Sequence, residues 1–341
     1  MPGFPVVDMH THFLPEVYLQ KVEKEGDRLG VHLERDPDGR QMIQTPFYRT
    51  PVNERHRDIE HRIRTMAVQG VDMEVLSPSP ANMMLYWIDG ALCEEMAEAS
   101  NEAYAGLVRA HPEHFLAVGT VPLQDVPRAI GVLENAMGKH GLLGAIIGSS
   151  VAGRYIDEEE FWPFFECAEA LGARLIVHAY CFPDDTFLKD YFFDNLMGFV
   201  FDEGISAARL IYAGVLERFP RLKLCIVHGG GFLPILLSRL DHGYKVRPEC
   251  RSAIPNPPSA YASRLYFDSI THNPGVLSYL LAKAAPGHVL MGSDYPFDMG
   301  EDPPGEMLRN LPGLDEDIRM DLLGGNALRF FGADDRTGAG E

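Results

Sequence analysis

Eight short runs of apolar and β-branched residues recur along this chain of 341 residues, and segments with helical periodicity lie between them. Several of the runs are apolar at every position, which is typical of strands that are buried on both faces of a parallel sheet. The predicted strands are residues 6–9, 73–77, 116–121, 144–148, 174–178, 223–227, 265–268 and 289–292. Strands that alternate with helices predict an α/β fold, and their number favours a (β/α)8 TIM barrel.

Six helical segments separate the later strands, and three of them begin at an aspartate that can cap a helix N-terminus. The predicted helices are residues 89–111, 125–140, 157–171, 207–219, 232–246 and 273–284. An open, doubly wound sheet is the alternative arrangement of such elements. It is disfavoured because no glycine-rich dinucleotide fingerprint follows the first strand.

One segment interrupts the alternation of strands and helices. Residues 14–54 separate the first strand from the first clear barrel helix, and they contain the turn-forming stretch Asp-Pro-Asp-Gly between short extended pieces. We expect a small insertion over the mouth of a single barrel domain that spans residues 1–332. The polar, glycine-containing residues 333–341 predict a disordered tail.

The charge of the chain restricts its partners. With 30 lysines and arginines against 49 aspartates and glutamates, the formal net charge is −19. Such a charge opposes binding to nucleic acid and to anionic membrane surfaces, because both carry negative charge themselves. A small anionic substrate would need arginines close to its binding site.

Cysteine usage and apolar runs indicate the compartment. The five cysteines are scattered and form no Cys-x-x-Cys pair, which is typical of a reduced intracellular protein. The N-terminal residues lack the basic and apolar regions of a signal peptide. No apolar run approaches the ~20 residues that span a bilayer. These features predict a cytoplasmic protein that does not associate with a membrane.

Polar residues at the ends of the predicted strands indicate a functional site. His10 and His12 follow the first strand and lie on one face if the strand continues. The fifth and sixth strands end at His178 and His228, and Asp294 follows the eighth. In a barrel, the C-terminal ends of the strands meet at one face, where active sites lie. The five side chains are therefore expected to converge there.

Histidine and carboxylate ligands without cysteine indicate the kind of metal. They suit Zn²⁺, and Mn²⁺, Fe²⁺ and Co²⁺ also fit this set. The predicted fourth strand, GAIIGSS, contains no lysine that could be carbamylated to bridge two metals. We therefore expect one metal ion per chain. A catalytic zinc keeps one position open for water, whose pKa it lowers to about 7.

Several stretches resemble the amidohydrolase superfamily, and more narrowly its decarboxylase branch, typified by 2-amino-3-carboxymuconate 6-semialdehyde decarboxylase. VDMHTHFLP, followed by VHGGG and then GSDYPF, carries the resemblance, which extends from residue 6 to residue 331. The stretches QGVDMEV, VPLQD, FDSITHNPGVL and GNALRFF support it. The resemblance implies a mononuclear zinc barrel that forms an intracellular homodimer.

The resemblance also implies roles for individual residues. The metal ligands would be His10, His12, His178 and Asp294. His228 would be the general acid/base, and Asp294 would count among the catalytic residues as well. Arg49 and Arg239 would bind substrate carboxylates, and in the family the arginine that matches Arg239 reaches the site across the dimer interface. Guanidinium groups suit this role because they bind carboxylates through two parallel hydrogen bonds.

Three places depart from the family pattern. Ala179 stands where the family often has a proline after its third histidine ligand, and Glu203 is kept but is followed by Gly204. Residues 14–54 match poorly outside Arg49. Since these regions line the pocket in relatives, the identity of the substrate stays open.

We therefore expect a metal-dependent, non-oxidative decarboxylase of an unsaturated or hydroxyaromatic carboxylic acid, in which His228 acts with a metal-bound water. A hydrolase or hydratase acting on a lactone, an amide or a C=C bond could use the same residues. A barrel that binds a metal or another ligand without catalysis, as part of an assembly, is a third hypothesis. His228 disfavours it, since a structural metal site needs no base beside an open zinc.

Overall fold

All eight predicted strands are present in the computed structural model, which describes residues 5–180 and 186–334, with the backbone alone described at residues 81 and 82. We number the barrel strands in chain order. They are β1 (Val7–Phe13), β2 (Met73–Pro78), β3 (Phe115–Ala117), β4 (Gly144–Gly148), β5 (Arg174–His178), β6 (Lys223–Ile226), β7 (Tyr266–Asp268) and β8 (Val289–Leu290).

The strands close into a ring of parallel neighbours. β1, β2 and β3 form one hydrogen-bonded group, and β4 to β8 form a second group in chain order. Isolated bridges join the two groups, one between Gly119 and Ala145 and one between Thr11 and Tyr295. The predicted (β/α)8 barrel is therefore confirmed, and the C-terminal ends of its strands meet at one face.

β1 is longer than predicted, because it continues through His10 and His12 to Phe13 instead of ending at residue 9. The strand stays hydrogen-bonded along this extension, where the backbone amide of His12 donates to the carbonyl of Tyr295 at 2.7 Å. The two imidazoles are therefore carried by a strand and not by the loop that follows it.

Helices connect successive barrel strands and match most of the predicted segments. The helices that follow β2 to β7 are Gly90–Ala110, Val126–Gly138, Trp162–Leu171, Val200–Tyr212, Leu233–Val246 and Pro274–Lys283. Asp89 and Asp125 cap the first two as predicted. Their side chains accept hydrogen bonds from the backbone amides of Ala91 and Arg128.

The predicted start of the helix at residues 157–171 is wrong. A 3-10 turn, Glu159–Phe161, comes first, and the α-helix begins at Trp162. Asp157 does not cap it, because the helix begins five residues later, and its carboxylate instead accepts a hydrogen bond from Arg209 at 2.7 Å.

The helix predicted at residues 207–219 also differs from the structure. It begins at Val200, because a π-helical turn over Asp194–Phe199 leads directly into it. It is interrupted at Gly214, whose φ of 79° lies in the left-handed region that a continuous helix does not use. A separate turn, Val215–Arg218, follows.

Shorter elements complete the described chain. The further helices are Glu54–Arg57, Ile59–Gln69, Pro80–Met83, Pro258–Ala262, Glu306–Asn310, Glu316–Met320 and Asn326–Phe331. A small strand pair, Ser150–Val151 with Arg154–Tyr155, follows β4. There are 3-10 turns at His228–Gly230 and Pro248–Arg251 and a π-helical turn at Asp321–Gly325.

The segment after β1 contains a helix and a small antiparallel sheet. The helix is Glu16–Leu29, and the strands are His32–Arg35, Gln41–Gln44 and Arg49–Pro51. Tyr48 fastens this sheet to the barrel, because its hydroxyl donates to the carbonyl of Tyr180, after β5, at 2.6 Å. A single barrel domain over residues 1–332 stays a prediction. Residues 335–341 of the predicted tail lie outside the described residues.

Two features of the described residues bear on the expected compartment, the cysteines and the apolar helices. The free thiols are Cys93, Cys167, Cys225 and Cys250, and Cys181 lies outside the described residues. Within residues 5–180 and 186–334, no helix is both long enough and apolar enough to cross a bilayer. The cytoplasmic location stays a prediction.

A buried ion pair joins the helix Ile59–Gln69 to β2. The guanidinium of Arg62 is fully buried, and its Nη1 lies 2.7 Å from the carboxylate of Glu74. Its Nη2 donates to the carbonyl of His12, and the guanidinium lies 4.7 Å from the centre of the Tyr295 ring. Arg62 therefore fixes the C-terminal end of β1, which carries His12. The sequence pattern did not indicate this role.

We predict that Arg62→Met lowers the free energy of unfolding by about 3–5 kcal/mol, because it leaves the buried Glu74 carboxylate without its partner. Urea denaturation followed by circular dichroism measures the effect. The double variant Arg62→Met/Glu74→Met should be less destabilised than the single variant. Arg64→Met, at an exposed position of the same helix, should change stability by no more than about 0.5 kcal/mol. Equal stability of the Arg62 and Arg64 variants would contradict the prediction.

Candidate metal centre

Four predicted side chains converge at the C-terminal face of the barrel. They are His10 and His12 of β1, His178 at the end of β5 and Asp294 after β8. One nitrogen or oxygen atom from each lies within 4.8 Å of the others, and all four residues are buried. The predicted convergence of these residues is present in the structure.

The Nδ1 atom of each of the three imidazoles lies beside a hydrogen-bond acceptor. The distances are 2.7 Å from His10 to Asp268 Oδ2, 3.1 Å from His12 to the carbonyl of Pro78 and 2.7 Å from His178 to the carbonyl of Ala179. Carboxylates and carbonyls only accept, so Nδ1 carries the hydrogen in each ring. Each Nε2 therefore presents a lone pair.

These lone pairs face one another across a small space. The Nε2 atoms of His10 and His12 are 3.1 Å apart, and Asp294 Oδ1 lies 3.0 Å from Nε2 of His12. Among the described residues, Asp294 Oδ1 has no hydrogen-bond donor. Buried acceptors that face each other are unfavourable unless a cation lies between them. Three nitrogens and one carboxylate oxygen fit Zn²⁺ and also suit Mn²⁺, Fe²⁺ or Co²⁺.

The surroundings of the cluster favour the neutral forms of His12 and His178 and the charged form of Asp294. Burial lowers the pKa of His12, and burial together with the nearby imidazoles holds the pKa of His178 well below its usual range. Burial by itself would raise the pKa of Asp294, but the imidazoles of His12 and His228, when they carry hydrogen at Nε2, outweigh it and hold this pKa well below normal. Neutral imidazoles and an ionised carboxylate are the forms that bind metals.

His228 lies beside this cluster, in the turn after β6. Its Nδ1 lies 2.8 Å from Oε1 of Glu203, and its Nε2 lies 3.8 Å from Oδ2 of Asp294. Burial alone would lower the pKa of His228, but the carboxylates of Glu203 and Asp294 raise it well above the usual value. Glu203 Oε1 also accepts the backbone amide of Ala179 at 2.9 Å. The imidazole can therefore hold a proton and present it at Nε2.

Two cavities meet at Asp294. The first has a volume of about 330 Å³, and His228 lines it together with apolar residues that include Ile270 and Leu280. The second has a volume of about 520 Å³ and lies between His178 and the insertion. The aromatic residues that line the second cavity are Phe47, Tyr48, Phe192, Phe199 and Phe297. Their flat rings suit a planar, conjugated ligand.

The structure separates the two predicted arginines. Arg49 lines the second cavity, and its Nε lies 4.0 Å from Glu34. Arg239 is exposed on the helix Leu233–Val246 and is not among the described residues that line these two cavities. A role for Arg239 in the site of a partner protomer stays a prediction.

Sequence reasoning missed two residues at the site. Arg55 lines the second cavity and lies 4.8 Å from the ring centre of Tyr295, but it stands in a charged stretch that resembles an exposed helix. Asp268 contacts His10. Its position could have been predicted from the sequence, because it ends the predicted seventh strand at the same face as the histidines.

Comparisons with known proteins agree with this geometry. Residues 7–333 match the amidohydrolase family. The chain is 32% identical over 331 residues to the 2-amino-3-carboxymuconate-6-semialdehyde decarboxylase of Dictyostelium discoideum, covering 96% of this chain and 92% of that protein. It is 26% identical over 295 residues to the 6-methylsalicylic acid decarboxylase of Penicillium expansum, covering 85% and 84%. The crystal structure of the 5-carboxyvanillate decarboxylase LigW from Sphingomonas paucimobilis superposes with a TM-score of 0.83 at 25% identity, covering 96% and 99%.

We predict that His178→Ala lowers the affinity for Zn²⁺ by roughly 100-fold or more, since loss of partners that merely orient a ligand already costs 10–100-fold. Metal content after dialysis, measured by inductively coupled plasma mass spectrometry, should be one equivalent for the parent and close to none for the variant. His242→Ala, at an exposed position, should keep the full equivalent. A full equivalent in the His178 variant would contradict the proposed ligand set.

Proposed function

This chain belongs to the amidohydrolase family, and from that premise we propose that it is a carboxy-lyase which removes CO₂ from a planar, unsaturated or hydroxyaromatic carboxylic acid. The observation that carries the proposal is the cluster of three Nε2 lone pairs and Asp294 beside the protonatable His228. Two relatives that match most of the chain are decarboxylases of such acids, and a third, which matches 85% of it, is a hydratase, which keeps addition of water as the alternative.

We assign one divalent cation per chain to His10, His12, His178 and Asp294. When bound, this cation supplies Lewis acidity beside the two cavities. Zn²⁺ is the best match for three nitrogens and one oxygen, and Mn²⁺, Fe²⁺ and Co²⁺ are alternatives. Calorimetric titration of metal-free protein with each ion compares their affinities and tests this choice.

His228 is the proposed general acid/base. Glu203 holds its Nδ1–H, so a proton at Nε2 can reach a substrate that lies in the adjoining cavity. Transfer of that proton to the carbon that bears the carboxylate interrupts the conjugation of the substrate. The bond to the carboxylate then breaks, CO₂ leaves, and the electron pair of that bond restores the conjugated system. The net change replaces CO₂ by a proton at that carbon, with no oxidant required.

The substrate is proposed to lie where the two cavities meet at Asp294, with the carbon to be protonated facing His228 in the first cavity and the rest of the molecule in the second cavity. Arg49 and Arg55 line the second cavity, and a guanidinium there would attract a carboxylate despite the net charge of −19. Besides Asp294, two further carboxylates, Asp194 and Asp298, line the same cavity, so the arginines also have to offset these charges. The aromatic residues around the cavity favour a flat substrate.

A homodimer is part of the proposal, because Arg239 can reach a site only if that site belongs to another protomer. Its exposure on the outer helix is compatible with such a contact. Analytical ultracentrifugation at micromolar concentration should give a mass close to twice 38.0 kDa. A monomer under these conditions would remove Arg239 from the site.

We predict that zinc-loaded protein releases CO₂ from at least one member of a panel of carboxyl-labelled unsaturated and hydroxyaromatic acids. His228→Ala should lower the rate by about 10²- to 10⁴-fold, because it removes the proton donor. The variant should still hold one equivalent of metal, and His242→Ala should release CO₂ at the parent rate.

One result would count against this function, and a second would count only against the role of His228. No CO₂ from any acid, with metal bound, would favour the hydrolase or hydratase alternative, and lactones, amides and unsaturated acids would then be assayed for addition of water. Release that persists in the His228 variant would remove His228 from the reaction while leaving decarboxylation in place.

A further inference from the structure

Asp268, the last residue of β7, is fully buried and contacts the site from behind. We propose that Asp268 is a positioning residue that fixes two parts of the centre at once, the tautomer of His10 and the backbone that carries His228. The proposal rests on the assignment of His10 as a metal ligand, but it does not depend on which reaction the site performs.

The two carboxylate oxygens of Asp268 have separate partners. Oδ2 lies 2.7 Å from Nδ1 of His10, which is 258 residues away in the chain. Oδ1 accepts the backbone amides of Gly229 at 2.7 Å and Ile270 at 3.2 Å. Every one of these donors is an N–H, so Asp268 acts only as an acceptor.

Close packing around Asp268 and His10 supports a specific contact between them. Gly292, after β8, lies against both residues. A Cβ atom at Gly292 would lie 2.8 Å from Cβ of His10 and 3.2 Å from Cβ of Asp268. The first distance is shorter than real side chains allow, so the pair occupies the space that any side chain at position 292 would need.

The contact with Gly229 affects His228. The turn after β6 has positive φ values of 50° at His228 and 62° at Gly229, a conformation that costs energy at a non-glycine residue. The hydrogen bond from Gly229 to Asp268 holds this turn. A single carboxylate therefore sets the position of the metal ligand relative to the proposed acid/base.

A neutral amide cannot replace this carboxylate. In Asp268→Asn, the amide oxygen can accept from His10 only if the amide nitrogen faces the N–H of Gly229, which places two donors together. If the amide is turned, its nitrogen faces Nδ1 of His10. The imidazole must then move its hydrogen to Nε2, which removes the lone pair from the metal site.

Glu203→Gln provides a matched control. It also replaces a buried carboxylate that holds the Nδ1 of an imidazole, but that imidazole is His228, which is outside the four-residue metal cluster. Both donors to Glu203 use the same oxygen, Oε1, so one amide oxygen can keep both contacts. The two variants therefore differ in how they reach the ligands: Asp268 contacts the ligand His10 directly, whereas Glu203 reaches His178 and Asp294 only through Ala179 and His228.

The test is the affinity of metal-free protein for Zn²⁺, measured by competition with a chromophoric chelator. We expect Asp268→Asn to bind 10–100-fold more weakly than the parent, while Glu203→Gln stays within about threefold. The visible absorption spectrum of the Co²⁺-loaded Asp268 variant should also change, because the ligand geometry around cobalt changes. Parent-like affinity together with a parent-like cobalt spectrum in Asp268→Asn would overturn the proposal.

A second measurement requires no change at Asp268 and applies even if that variant does not fold. Nitrogen-15 spectra of histidine-labelled, metal-free parent protein report the tautomer of each ring, and His10→Gln identifies the signal of His10. The proposal requires the Nδ1–H tautomer at His10, and an Nε2–H tautomer would refute it. Neither measurement involves substrate, so an absence of CO₂ release would leave this inference standing.

Discussion

The candidate metal centre depends on three hydrogen bonds that point away from it. The Nδ1–H groups of His10, His12 and His178 are each held by an acceptor behind the ring, so that all three lone pairs face inwards. Without these bonds each imidazole could carry its hydrogen on Nε2 and donate it to a neighbouring acceptor within the centre. With them, the cluster is left short of positive charge, which a divalent cation can provide.

The framework behind the centre consists largely of buried charge, which is costly unless every group is paired. Asp268 supports His10, Glu203 supports His228, and Arg62 binds both Glu74 and the carbonyl of His12. These contacts come from β7, the helix Val200–Tyr212 and the helix Ile59–Gln69. Such pairing places the cluster on rigid elements, as a site with precise ligand positions requires.

The cavities divide the site into a part set by the barrel and a part set by the insertion. Strand ends supply the cluster and His228, whereas the segment after β1 supplies Phe47, Tyr48 and Arg49 around the larger cavity. The bond from Tyr48 to the carbonyl of Tyr180 fixes that segment against the barrel. If the larger cavity binds the substrate as proposed, the segment that departs most from the family pattern contributes part of its wall.

The sequence by itself determined the barrel, the strand-end histidines and Asp294. Strand and helix periodicity are local signals, and parallel strands of a barrel necessarily bring their C-terminal ends to one face. Local signals also located the caps at Asp89 and Asp125. They failed at Val200, where a preceding π-helical turn starts the helix early.

Only the tertiary structure decided which distant groups pair. His10 and Asp268 are separated by 258 residues, so no periodicity links them. Arg62 lies within an ordinary helical pattern, and burial distinguishes it from Arg64 only after packing. The two proposed substrate arginines looked equivalent in sequence, yet one lines a cavity and the other is exposed on an outer helix. The physical reason is that buried charges pair with whatever the folded chain brings next to them. Local sequence propensity carries no information about neighbours that are distant in sequence.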